Sequence, residues 1–147
     1  MLHQIFLGSI VILITILTGA GAFWFMESIV TRIEPWTVRR PHTPKLTLLL
    51  MITVVLTLGI MTLAVWTWAF AFLALGVFND IEHATYFSIV AFTTLGYGDI
   101  ILPVEWRILG GMTAANGLMN MGLYTAMLVE VLRRVRSDQV RGGGDTG

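Results

Sequence analysis

The sequence predicts an all-α integral membrane protein with three spanning helices and one short helix that enters the membrane and returns. Three observations carry this expectation. The 147 residues are 56% hydrophobic and only 12% charged, with a mean hydropathy of +0.80, whereas soluble domains carry about a quarter charged residues. Three segments, 2–26, 46–78 and 108–129, contain no Asp, Glu, Lys or Arg, and about 20 apolar residues suffice to cross the hydrocarbon core. A further apolar stretch, 81–94, is too short to cross and reads as re-entrant.

The elements follow in order. Residues 1–26 form an N-terminal transmembrane helix. Its Thr18-Gly19-Ala20-Gly21-Ala22 stretch has the small residues of a cleavage site, but no basic residue opens the segment, so it is expected to be retained. Residues 27–45 are a linker in which Pro35, Pro41 and Pro44 argue against one continuous helix. The second span, 46–78, is longer than a span requires and is expected to tilt or run into the headgroups. Asn79 precedes Glu82 by three residues, a capping-box spacing, so Asn79 or Asp80 is expected to start a helix over 81–93. Residues 94–99 follow as irregular backbone, 104–135 as the last helix, and 136–147 as a short tail.

The formal net charge is zero, but the basic residues are unevenly placed. Arg32, Arg39, Arg40 and Lys45 lie between the first two spans. Arg133, Arg134, Arg136 and Arg141 follow the third, and only Arg107 lies in the loop between spans two and three. Basic residues in short loops mark the cytoplasmic side. The linker and C-terminus are therefore expected inside, and the N-terminus and the 79–107 loop outside. That outer loop carries Asp80, Glu82, Asp99 and Glu105, and acidic groups there raise the local cation concentration. His83 is its candidate pH-sensing residue. With no cysteine there is no disulfide, thiolate or cysteine metal site. No cluster of His, acid and nucleophile shares one depth, so no enzyme, organic cofactor or nucleic-acid partner is expected.

The most informative run is Thr93-Thr94-Leu95-Gly96-Tyr97-Gly98-Asp99-Ile100, between two spans. Irregular backbone at membrane depth needs a protein-lined or water-lined place, and Gly96 and Gly98 can take positive φ so that successive carbonyls point one way. The run resembles the selectivity filter of the bacterial potassium channel pore-domain family, of the two-helix pore-loop type, here with one extra N-terminal helix. The resemblance covers 46–135 and implies a homotetramer around a central pore, in the plasma (inner) membrane. It implies K⁺ held by the carbonyls of Thr94, Leu95, Gly96 and Tyr97, with Gly98 completing the filter, the Thr94 hydroxyl facing the cavity and Asp99 at the outer mouth. Rival readings are a transporter built from related pore loops and an assembly that only binds K⁺. A single intact motif argues against the first.

The chain departs from the family pattern at several points. Leu95 stands where Val is commonest. Tyr86 and Phe87 stand where two pore-helix tryptophans often occur, the second commonly bonding the motif Asp; Phe87 has no donor, so Asp99 is expected to need another partner or water. Val90 replaces a Glu found in some members, and one extra residue separates Asp99 from Pro103.

The resemblance makes the third span the cavity-lining helix. Thr113, Asn116 and Asn120 share one helical face and read either as a polar cavity stripe or as interhelical hydrogen bonding. Met127, Val131 and Val135 continue that face and are candidates for an apolar gate constriction. Gly110, Gly111, Gly117 and Gly122 permit bending or close packing. Arg133, Arg134 and Arg136 suit anionic lipid headgroups, or serve topology alone.

Overall fold

A computed structural model describes the backbone of residues 2–37 and 42–144, and the side chains of 2–25, 27–28, 47–48, 50–130 and 132–133. Among these residues every regular element is helical: α1 (Leu2–Thr37), α2 (His42–Ala74), α3 (Ile81–Phe92), a 3₁₀ turn (Val104–Trp106) and α4 (Arg107–Gly144). Two stretches are long and apolar enough to cross a membrane, Leu2–Phe25 in α1 and Leu50–Ala74 in α2. α4 has the length, but its Thr, Asn and Gly residues make it less apolar than either. Large apolar side chains such as Phe6, Leu13 and Leu17 of α1 and Val55, Leu58 and Phe70 of α2 face outward. Exposed apolar surface on this scale marks a molecule embedded in lipid or covered by partners.

The helix ends differ from the sequence expectation at identifiable places. α1 continues past Met26 to Thr37, through Pro35. Proline near a helix end frees few backbone groups, because the last four carbonyls lack intrahelical partners anyway. α2 begins at His42, with Pro44 in its first turn, where a missing N–H costs no hydrogen bond. It stops at Ala74 rather than 78 because Gly76, at φ +68°, reverses the chain. Gly76 N–H bonds the Leu73 carbonyl and Val77 N–H the Phe72 carbonyl, both at 3.0 Å, the two bonds of a Schellman motif. Asp80, not Asn79, caps α3: its carboxylate accepts the His83 N–H at 2.8 Å.

α3 is held from both sides. Phe72 of α2 meets Phe87 of α3 edge-on at 5.2 Å, and Phe78 of the connecting loop stands 5.9 Å from Phe72 and 5.5 Å from Phe87. Edge-to-face aromatic packing adds to the burial free energy. Trp68, Phe72, Phe92, Leu102 and Leu109 form the buried centre of this core. On the opposite side α4 approaches at Gly117, where a Cβ would lie 1.7 Å from the Phe92 carbonyl oxygen. Only glycine admits that contact.

The first half of α1 runs parallel to the first half of α4. His3 lies by Trp106 with ring centroids 6.4 Å apart, Gly8 lies against Met112, Thr15 bonds Asn116, and Gly19 lies beside Leu123 and Tyr124. The start of α1 and the 79–107 loop are thus at the same end of the molecule.

Gly117→Ala is expected to lower the thermal unfolding midpoint in detergent, with a destabilisation of at least the ~1–3 kcal/mol typical of core overpacking. Gly122→Ala, with nothing within 4 Å of its would-be Cβ, is expected to leave the midpoint unchanged or raise it.

Candidate functional site

The site begins where α3 ends. Thr93 N–H returns to the Ile89 carbonyl at 2.9 Å and Thr94 N–H to Ala91 at 2.9 Å; Leu95 and Gly96 N–H share the Val90 carbonyl at 3.0 and 3.2 Å. Four successive amides are therefore satisfied by the last turn of α3. None of the described backbone hydrogen bonds outside the helices ends on a carbonyl of 94–98. The segment is polarised: the donors of 93–96 are used and the acceptors of 94–98 are free.

The φ angles explain how. Thr94, Gly96 and Gly98 have φ of +60°, +57° and +76°, every second residue, while Leu95 and Tyr97 between them do not. Alternation of right- and left-handed backbone turns successive N–H groups to one side, hence successive carbonyls to the other. Glycine takes this conformation at no steric cost. Thr94, β-branched, is strained there, and strain at a single position is characteristic of a backbone held in place for function.

The side chains of the segment find little within their own chain. Leu95 is 54% exposed and Tyr97 69%. Ile101 and Val104, just beyond, are also exposed. A cleft of about 290 Å³ lies between the segment and α3, lined among others by Tyr86, Phe87, Val90, Thr94, Gly96 and Asp99.

Asp99 has a partner that the sequence does not identify. The Tyr86 hydroxyl donates to its Oδ2. Phe87, the position expected to face Asp99, turns instead into the aromatic core, and the residue before it supplies the donor. The Tyr86 hydroxyl, helped by the Asp99 and Ile100 backbone N–H groups, holds the Asp99 carboxyl below the usual aspartate range. Two adjacent aromatics on a helix point about 100° apart, so a Tyr-Phe pair with one donor is the available clue.

At the other end of α3, His83 Nδ1 lies 2.9 and 2.8 Å from the two Asp80 carboxylate oxygens. The His83 N–H and then its imidazole hold Asp80 below its ordinary value, and the Asp80 hydrogen bond and charge raise His83. Both groups are solvent-exposed.

α4 presents two faces. Leu109, Thr113, Asn116, Asn120, Tyr124 and Met127 form a buried stripe. Asn116 Nδ2 donates to Thr15 Oγ1 of α1 at 2.7 Å, and Asn120 Nδ2 donates to Asn116 Oδ1 at 2.7 Å and to the Asn116 carbonyl at 2.9 Å. Thr113 Oγ1 donates to the Leu109 carbonyl at 3.0 Å. The sequence left two readings open for this stripe: Thr113, Asn116 and Asn120 are wholly buried within one chain, and of the three Asn116 makes the interhelical hydrogen bond while Thr113 and Asn120 bond within α4. Met127 belongs to the same buried face. Val131 and Val135, its expected partners in a constriction, lie outside the residues whose side chains are described. Arg133 is exposed, and Arg134 and Arg136 lie outside those residues too. The open stripe of α4 is Gly111, Ala115, Leu118, Gly122, Thr125 and Val129.

A family model described as "Ion channel" matches residues 60–134, more than half of the chain. It spans the C-terminal part of α2 from residue 60, all of α3 and the 93–103 segment, and α4 as far as residue 134, and it excludes α1. No curated protein and no solved structure matches the chain.

The Asp80–His83 pair is expected to persist between the lowered aspartate and raised imidazole values. The His83 contribution is complete below the ordinary imidazole pKa of about 6.5 and is lost as pH rises through the raised value. The Asp80 contribution is present above the ordinary aspartate value and is lost as pH falls through the lowered one. In Asp80→Asn the His83 titration midpoint, followed by NMR of the imidazole, should move down toward its ordinary value. In Tyr86→Phe the Asp99 carboxyl should titrate higher than in the parent, measured by carbon NMR on labelled aspartate.

Proposed function

The chain belongs to the ion channel family, and on that premise we propose that it is a potassium-selective channel that carries K⁺ passively through a filter shared by four identical chains. The observation that carries this reading is the polarised 93–98 segment. The amides of 93–96 are tied to α3, the carbonyls of 94–98 are free, and alternate residues have positive φ. In this reading the carbonyls of Thr94, Leu95, Gly96 and Tyr97 replace the hydration shell of the ion. The Thr94 hydroxyl faces the cavity, and Asp99, kept ionised by Tyr86, concentrates cations at the mouth.

One chain supplies one such segment, and a ring of carbonyls needs several. The exposed Leu95, Tyr97, Ile101 and Val104 side chains support assembly, since a neighbouring chain is what would cover them. α4 is the third span and lines the inner cavity with its open stripe, Leu118, Gly122 and Thr125, rather than with Asn116 and Asn120. The parallel course of α1 and α4 agrees with both crossing in the same direction. The uneven basic residues then place the 79–107 loop outside, with Arg133, Arg134 and Arg136 at the inner headgroups. The protein performs transport with no covalent chemistry.

Reconstituted into liposomes with a K⁺ gradient, the purified protein should carry K⁺ and Rb⁺ far faster than Na⁺; equal Na⁺ flux would remove the selectivity claim. Gly96→Ala, which forces a side chain into φ +57°, should abolish K⁺ flux while leaving the oligomer intact on native gels. Undiminished flux through that variant would show that ions do not pass this backbone.

A further inference from the structure

α1 lies outside the matched region, yet it makes the buried polar contact with α4. Thr15 is buried, 101 residues from its partner Asn116. The Thr15 hydroxyl is shared between Asn116 Oδ1 at 3.1 Å and its own helix at the Ile12 carbonyl, 2.8 Å away. Gly8 and Gly19 flank Thr15 on the same face and let α1 approach closely, under Met112 and beside Asn120 and Tyr124. In lipid no hydrophobic difference drives helices together, so small residues and hydrogen bonds decide where they dock. Thr15, Asn116 and Asn120 therefore set the register of α1 on α4.

The next residue of α4 connects this contact to the filter. Gly117 touches the last residue of α3: its notional Cβ would lie 1.7 Å from the Phe92 oxygen and 2.5 Å from the Phe92 carbonyl carbon. Residues 116 and 117 are thus held by α1 and by α3 together. Phe92 precedes Thr93 directly, and Val90, one turn back from Thr94, accepts the Leu95 and Gly96 N–H bonds. With no slack at Gly117, a shift or rotation of α4 at this level displaces the end of α3 and the amides that orient residues 94–96.

We propose that Thr15 and Asn116 are positioning residues for the filter. Through them α1 sets the rotation and depth at which α4 backs the end of α3, and thereby sets the ion discrimination of residues 94–98. The inference rests on the conduction reading for its flux readout, but not for its structural one.

The test compares Thr15→Val, which keeps the volume and removes the hydroxyl, with Thr15→Ser, which restores it. Thr18→Val is the control: Thr18 is exposed and its hydroxyl bonds only the Ile14 carbonyl of its own helix, at 2.7 Å. In liposomes Thr15→Val should change the Na⁺-to-K⁺ flux ratio by roughly three- to tenfold, the scale of one lost interhelical hydrogen bond. Thr15→Ser and Thr18→Val should match the parent. Hydrogen–deuterium exchange of the segment 92–98 should also be faster in Thr15→Val alone, independently of any flux. If Thr15→Val does not assemble, Thr15→Ala is read in the same way. Parental exchange and a parental flux ratio in the hydroxyl-less variant would overturn the inference, as would an equal effect of Thr18→Val. Absence of K⁺ flux in the parent protein would instead overturn the conduction reading, and the exchange measurement would still decide the role of Thr15.

Discussion

Backbone polar groups placed at membrane depth without a helix must find partners, and this constraint organises the molecule. The 93–98 segment meets it by halves. The N–H groups of 93–96 fold back onto the last turn of α3, which leaves the carbonyls of 94–98 without a backbone partner among the described hydrogen bonds. A segment with that asymmetry is stable only if the helix receiving its amides is itself immobile. Much of the remaining fold serves to immobilise α3. Asp80 caps its start, Phe72 and Phe78 pack against Phe87 on one side, and α4 presses on Phe92 from another.

The pressure from α4 depends on a single missing side chain. At Gly117 the two backbones meet more closely than any Cβ would allow. A close backbone contact resists displacement more than a contact between flexible side chains, because no rotamer can relieve it. Gly8 has a softer version of the same relation, since the atoms above it are the Sδ and Cε of Met112 and can move. The glycines of this chain thus play different parts: Gly76 reverses the chain, Gly96 and Gly98 reverse φ, and Gly117 brings two backbones together.

The two faces of α4 differ in what they meet. On the buried stripe Asn116 bonds Thr15 of α1, while the Asn120 Nδ2 and the Thr113 hydroxyl bond within α4. The open stripe carries small or apolar residues and one hydroxyl, Thr125. In the 79–107 region a carboxylate is twice held by an aromatic or imidazole side chain of α3: His83 on Asp80 and Tyr86 on Asp99. Both pairs are exposed, so their importance lies in orienting the start of α3 and the end of the 93–98 segment rather than in bulk stability.

Much of this protein was legible in order along the chain. The uncharged segments, the short helix after Asp80, the Gly-Tyr-Gly run and the uneven basic residues depend on composition, length and local backbone freedom, and these are properties of neighbouring residues. α3 starts behind Asp80, one of the two caps expected, whereas α2 ends short of 78 because Gly76 takes a positive φ and reverses the chain. The spacing of Thr113, Asn116 and Asn120 showed that they share a face, but not what that face meets. Periodicity gives an angle around a helix axis, and lipid, cavity and a neighbouring helix all accept the same apolar pattern. Only the packing of α1, directed by Thr15 and two glycines, decided that the stripe is an interface. Likewise the partner of Asp99 depended on which of Tyr86 and Phe87 the aromatic core claimed, and that choice exists only once α2, α3 and the loop are brought together.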